Sequence, residues 1–134
     1  AARAGVYMGF ETMETEFMNT ATKAKHYVDM INSPYLKIYP DMGNIRNATE
    51  DYLGDLRACR GDIIAAHLKE TVEGVYRDME FGDGRVDFAG CIAELLSQGV
   101  RMFTCEFWYD GKSDPYDYIV RNKKYVEKIF AGNR

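Results

Sequence analysis

The sequence predicts an α/β fold of four consecutive βα units with parallel strands, and three observations point to it. Short hydrophobic stretches at residues 6–10, 36–40, 63–66 and 102–105 alternate with longer amphipathic stretches that carry helix-capping residues. Each hydrophobic stretch runs into a side chain that can bind a metal or move a proton: Glu11, Asp41, His67 and Glu106. From 11 to 41, 41 to 67 and 67 to 106, these four lie 30, 26 and 39 residues apart. Each gap is long enough for one helix and two loops, the crossover that parallel neighbours require. Parallel strands would then bring all four side chains to one edge of the sheet, where α/β proteins place their chemistry.

The first strand is expected over 5–11, followed by Asn19-Thr20 as an N-cap and a helix to about Ile31, with Ala24, Tyr27, Val28 and Ile31 on one face. Asn32-Ser33-Pro34 stops that helix. The second strand, 35–39, leads into a turn-rich loop over 40–44 and a helix over about 49–59 that ends before Gly61. A third strand over 63–67 precedes the longest non-periodic stretch, 68–87, the kind of loop that is functional or mobile. Asp87 is placed to cap a helix over 88–98, with Ile92, Leu95 and Leu96 on its buried stripe and Gly99 closing it. The last strand, 101–106, runs into Trp108-Tyr109-Asp110-Gly111. Asp114-Pro115 then opens a helix to about Phe130, since a first-turn N–H has no helical partner to lose. Its apolar face is Tyr118, Ile119, Tyr125, Val126, Ile129 and Phe130.

At 134 residues, with 46% hydrophobic and 28% charged, the chain reads as one soluble domain over 1–134 that can build a core. A net charge of −4 with scattered basic residues argues against a nucleic-acid partner, which would draw Lys and Arg into a patch. No apolar run approaches the roughly 18 residues of a membrane span. The N-terminus also lacks the basic region and apolar core of a secretion signal. A cytoplasmic protein without a membrane partner is expected. Cys59, Cys91 and Cys105 are odd in number and sit in apolar contexts, so they read as small core hydrophobes rather than a disulfide framework.

Four βα units are half of what a closed eight-stranded barrel needs. An isolated four-stranded parallel sheet exposes two edges and an apolar inner face. The chain is therefore expected to be a fragment, completed by an upstream half or by association of two copies. Its start at Ala1-Ala2-Arg3-Ala4, without an initiator methionine, fits that expectation.

The stretches Glu11-Thr12-Met13-Glu14-Thr15-Glu16-Phe17-Met18-Asn19, Tyr39-Pro40-Asp41-Met42-Gly43-Asn44 and His67-Leu68-Lys69-Glu70-Thr71 come in this order along the chain. After them come Arg77-Asp78-Met79-Glu80-Phe81-Gly82-Asp83-Gly84-Arg85-Val86-Asp87-Phe88 and Glu106-Phe107-Trp108. Together they resemble the C-terminal half of the L-ribulose-5-phosphate 3-epimerase (L-xylulose-5-phosphate 3-epimerase) family, within the xylose-isomerase-like TIM-barrel superfamily. The ordered set is far more specific than any one motif. The resemblance implies the C-terminal half of a (β/α)8 barrel and one divalent metal held by Glu11, Asp41, His67 and Glu106. It also implies that Glu11 and Glu106 are the catalytic acid and base, acting on a small sugar phosphate.

The residue chemistry agrees. Three carboxylates and an imidazole form a hard, oxygen-rich site suited to manganese, magnesium or zinc. Epimerisation beside a ketone needs a polarised carbonyl and two bases on opposite faces of the substrate, one removing the carbon 3 proton and one returning it. By analogy with related ketose 3-epimerases, Arg77 contacts substrate oxygens near the reacting centre. Two departures stand out: the stretch between His67 and Arg77 is longer than in the non-phosphorylated ketose enzymes, and Met42-Gly43-Asn44 replaces a histidine those enzymes place after the aspartate.

Each residue also has a plainer reading. Glu11 alone could be a solvated loop carboxylate, Asp41 a turn cap, and His67 a satisfied structural histidine. Glu106 could be buried with a basic partner, and burying it with neither metal nor cation would be costly. Four such coincidences in successive units are improbable. His26, mid-helix, has no catalytic role. Lys69 is expected to leave the chain opposite His67 and to meet Glu70, solvent or a substrate phosphate. Gly82-Asp83-Gly84 resembles a phosphate loop only weakly and reads first as shaping the entry to the next helix. Trp108 and Tyr109 are expected to wall the pocket or pack at a subunit contact.

These readings lead to an isomerase, a metal-dependent epimerase interconverting L-xylulose 5-phosphate and L-ribulose 5-phosphate. It would act as a homo-oligomer or with a missing N-terminal half. The alternatives are a related hexulose-phosphate or hydroxypyruvate isomerase, or a non-catalytic half-barrel interaction module.

Overall fold

The computed structural model describes residues 1–132. Strands β1 (Met8–Glu11), β2 (Leu36–Tyr39), β3 (Ala66–Leu68) and β4 (Phe103–Cys105) alternate with helices. The helices are α1 (Ala21–Ile31), α2 (Met42–Ala48), α3 (Tyr52–Ala58), α4 (Phe88–Ser97) and α5 (Pro115–Gly132). β1 pairs in parallel with β2, Met8 opposite Leu36 and Glu11 opposite Tyr39. β3 pairs in parallel with β4, Ala66 opposite Phe103 and Leu68 opposite Cys105. Parallel bridges at Ile38–Ile63 and Asp41–His67 join the two pairs. The spatial order is therefore β1-β2-β3-β4, with every strand running the same way.

Alternation along the strands sorts the side chains into two faces. Leu36, Ile38, Ala66 and Leu68 turn toward the helices and are buried with Ile92 and Leu95 of α4. Tyr39, His67 and Thr104 turn to the other face, where the Tyr39 hydroxyl meets Thr104 Oγ1 at 2.6 Å. α1 contributes Ala21, Ala24 and Val28 to the core. α5 contributes Tyr118, Asn122 and Val126, one residue per turn.

Several expected boundaries move for identifiable reasons. The third strand is centred later than residues 63–67. Ile64 N–H bonds to Ile38 C=O on the β2 side, and the ladder to β4 begins only at Ala66, whose N–H bonds to Met102 C=O. The expected 40–44 loop is instead the start of α2. The Asp41 carboxylate accepts the Asn44 N–H at 2.7 Å as its N-cap, and Met42, Gly43, Asn44 and Ile45 are all buried. The expected 49–59 helix begins at Tyr52, capped by Asp51. Ile31 and Ile119, placed on buried stripes, are 55% and 51% exposed. Cys59 and Cys91 are core residues, as expected, with burial pushing each thiol up to about 12. Cys105 is exposed and is not one.

Candidate metal centre

Glu11 is the last residue of β1, Asp41 follows β2 after Pro40, His67 lies in β3, and Glu106 follows β4 directly. Parallel pairing therefore sets the four at one rim. The ends of β1 and β2 are stapled together by buried groups. Thr12 Oγ1 accepts the Asp41 N–H at 2.8 Å, and the Asn44 side chain donates to Thr12 C=O at 2.8 Å.

One ligand atom from each of the four side chains lies within 4.8 Å of all the others. His67 Nδ1 is 2.7 Å from Glu11 Oε1, 2.8 Å from Glu106 Oε2 and 3.9 Å from Asp41 Oδ2. A ring nitrogen has at most one hydrogen to give, so it cannot satisfy three carboxylates. Asp41 sharpens the point. It is fully buried, and while its Oδ1 caps α2, its Oδ2 has no hydrogen-bond partner. Burial pushes its carboxyl well above the ordinary range, against the pull of the Lys69 charge. A cation would relieve both the orphaned oxygen and the mutual repulsion. Ligands about 2.0–2.2 Å from one ion lie at most about 4.4 Å apart, so four donor atoms within 4.8 Å of one another are grouped on the scale of a single ion site. A hard divalent cation fits this donor set.

Beside the quartet lies a cavity of about 370 Å³, lined by Glu11, Met13, Glu14, Thr15, Asn44, His67, Lys69, Arg77, Glu106 and Trp108. Lys69 and Arg77 both reach it. Glu14 Oε1 accepts a hydrogen bond from Lys69 Nζ at 3.2 Å and forms an ion pair with Arg77 Nη2 at 2.9 Å. Both cations lie over the Trp108 ring, 4.9 and 4.7 Å from its centroid. Lys69 does not leave opposite His67 as expected, because residues i and i+2 of an extended chain share a face. Its second partner is Glu106 Oε1 at 3.0 Å. Burial lowers the Lys69 pKa, but Asp41, Glu106 and Glu14 outweigh it and hold the ammonium above its ordinary range.

Trp108 walls the pocket as one of the expected alternatives, whereas Tyr109 packs on Tyr118 and donates to Ser113 C=O. His26 is exposed on α1. Glycines 82 and 84 cradle an anion, but it is one of the protein's own. Glu70, buried, accepts N–H bonds from Thr71, Gly82 and Val86. Thr12, Glu14 and Asn44 are supporting residues that sequence reasoning did not single out, and Glu70, expected as one possible partner of Lys69, is held by backbone N–H groups while Lys69 pairs with Glu14 and Glu106. Only Asn44, three residues past a capping aspartate, carried a local signal.

The xylose isomerase-like TIM barrel family matches residues 1–129. The chain is 34% identical over 132 residues to L-ribulose-5-phosphate 3-epimerase UlaE of Shigella boydii and, at the same identity, to UlaE of Escherichia coli. Each match covers 98% of this chain and 46% of the relative. A solved L-ribulose 3-epimerase superposes with a TM-score of 0.82 at 17% identity, covering 99% of this chain and 50% of that one. The 3-keto-D-glucoside 4-epimerase YcjR of Escherichia coli superposes with a TM-score of 0.76 at 15% identity, covering 98% and 48%. These structural likenesses speak to the fold, which is that of half a TIM barrel. The chain spans about half the length of the curated relatives it matches.

Proposed function

The chain belongs to the xylose isomerase-like TIM barrel family, and from that premise we propose that it is the metal-binding half of a sugar-phosphate 3-epimerase. The reaction we assign interconverts L-xylulose 5-phosphate and L-ribulose 5-phosphate. The observation that supports it most is the quartet of Glu11, Asp41, His67 and Glu106 converging within 4.8 Å, with Asp41 Oδ2 buried and without a hydrogen-bond partner. A divalent ion there, manganese, magnesium or zinc, would supply Lewis acidity at a ketose carbonyl.

The chain's own residues do the rest. Glu11 and Glu106 approach from strands at opposite ends of the sheet order, and each offers a carboxylate at the cavity. One takes the carbon 3 proton and the other returns a proton to the opposite face, with an enediolate between the two steps. Arg77 and Lys69, both lining the cavity, are the cations we assign to the substrate's oxygens. We assign the chain to a single half-barrel domain, with the other four βα units as its partner.

Two measurements test this reading. Calorimetric titration of the chain with manganese should show one site, abolished by Asp41→Asn. The chain joined to the first four βα units of a UlaE relative, incubated with L-ribulose 5-phosphate in heavy water, should place deuterium at carbon 3 of the product. Metal uptake without deuterium incorporation would favour a sister isomerase or a half-barrel subunit. Absence of both overturns the proposal.

A further inference from the structure

We infer that Lys69 is a positioning residue for Glu106: its ammonium ties back one carboxylate oxygen so that the other is aimed at the metal-binding quartet. The inference deepens the metal reading above and rests on it.

The geometry divides the two oxygens of Glu106. Oε2 lies 2.8 Å from His67 Nδ1, inside the quartet, and Oε1 lies 3.0 Å from Lys69 Nζ, outside it. Glu11 is not held in this way: its Oε1 meets His67 at 2.7 Å, and no lysine or arginine among the described residues pairs with it. Glu106 is thus presented with one oxygen, in one orientation, before any ion arrives. Partners that orient a ligand from outside the first coordination sphere act by this kind of pre-arrangement.

Lys69 is built to stay in place. Its side chain is only 3% exposed, its head is shared between Glu106 and Glu14, and it lies over the Trp108 ring. Burying an ammonium is costly unless its partners are fixed, so a mobile surface contact is not an adequate description. Its stem also has a reserved path. A Cβ at Gly43 would fall 3.0 Å from Lys69 Cγ and 2.7 Å from Thr71 Cγ2, closer than side chains pack. The glycine after Asp41-Met42 therefore leaves room for the lysine that holds the fourth ligand.

The sign of one measurement separates positioning from simple charge. A cation beside a cation site repels the incoming metal, so a purely electrostatic Lys69 would weaken metal binding, and removing it would tighten it. A Lys69 that positions Glu106 has the opposite effect when removed. Manganese affinity is measured by calorimetry, without substrate, on the wild-type chain, Lys69→Met and Glu14→Gln, with thermal melts to confirm folding. Lys69→Met should bind about 10–100-fold more weakly, the usual loss when an outer partner of a ligand is removed. Glu14→Gln, which keeps the Glu106 contact, should stay within about threefold, well short of that loss. If Lys69→Met does not fold, Lys69→Gln serves with the same expectation. Wild-type binding with unchanged or tighter affinity in the lysine variant overturns this inference alone. An equal loss in Glu14→Gln assigns the effect to the whole ion cluster and overturns it too. A wild-type chain that takes up no manganese overturns the metal reading and this inference with it.

Discussion

Glu70 is 3% exposed and has no cationic partner among the described residues, yet it accepts three backbone N–H bonds, from Thr71 at 3.0 Å, Gly82 at 2.8 Å and Val86 at 3.0 Å. It gathers the stretch between β3 and α4 around one carboxylate, and a Cβ at Gly84 would overlap its Oε1 and the Thr71 carbonyl. Glu70→Ala strands three amide donors at once. At about 1–3 kcal/mol for each buried donor left unsatisfied, it should cost several kcal/mol in chemical denaturation. Glu70→Gln keeps the oxygen facing Thr71 and Val86 and should lose protection mainly at Gly82 in amide exchange. Equal exchange at all three amides in that variant would refute the assignment. The quartet that could hold a metal was legible in the sequence because each donor directly follows or ends an apolar run. Glu14 was not, because what it does depends on Lys69 across 55 residues, and the role of Glu70 was not, because it depends on how the following loop folds back to bring the Gly82 and Val86 amides to it. A glycine pair that looked faintly like a phosphate cradle is filled by this chain's own carboxylate.

α2 shows where local pattern and tertiary packing disagree. Gly43 and Asn44 are poor helix formers, and with Pro40 and Asp41 they read as a loop. The helix forms because Asp41 caps it and because its first four residues are buried. Elements whose signal is local, such as α1 behind Thr20 and α4 behind Asp87, were legible almost to the residue. Strand limits were not, since they depend on which neighbour each residue bonds, as the step from β2 to β4 between Ile64 and Ala66 shows. Gly43→Ala tests which effect dominates. Propensity alone favours alanine by about 1 kcal/mol, whereas the added methyl would meet Thr71 and the Lys69 stem at 3.0 Å or less. Overpacking of this kind costs about 1–3 kcal/mol, so the variant should be less stable in urea by up to about 2 kcal/mol once the propensity gain is subtracted. A stabilised variant would mean that the 69–71 segment yields easily.

At the scale of the molecule, half a barrel leaves open strand edges and exposed apolar side chains that the proposed second half would cover. β1 pairs only with β2 and β4 only with β3 among the described residues, so one edge of each is open. Met8 and Met102, near the starts of those strands, are 56% and 63% exposed. Burying a methionine fully contributes about 1.5–3 kcal/mol, and pairing both edges removes a template for non-specific strand addition. Closure by four further βα units would therefore stabilise the chain at these two edges and leave the α-side core unchanged. The first four units of a UlaE relative, mixed with this chain, should slow amide exchange along 8–11 and 103–105 and raise the melting temperature, while amides in α3 and α4 change little. Self-closure by a second copy would give the same edge protection in the chain alone, with twice the mass in solution. If the edge amides exchange as fast with the added half as without it, and the mass stays that of one chain, then these edges are not docking surfaces. The cavity beside Glu11 and Glu106 would then have to complete its wall in some other way.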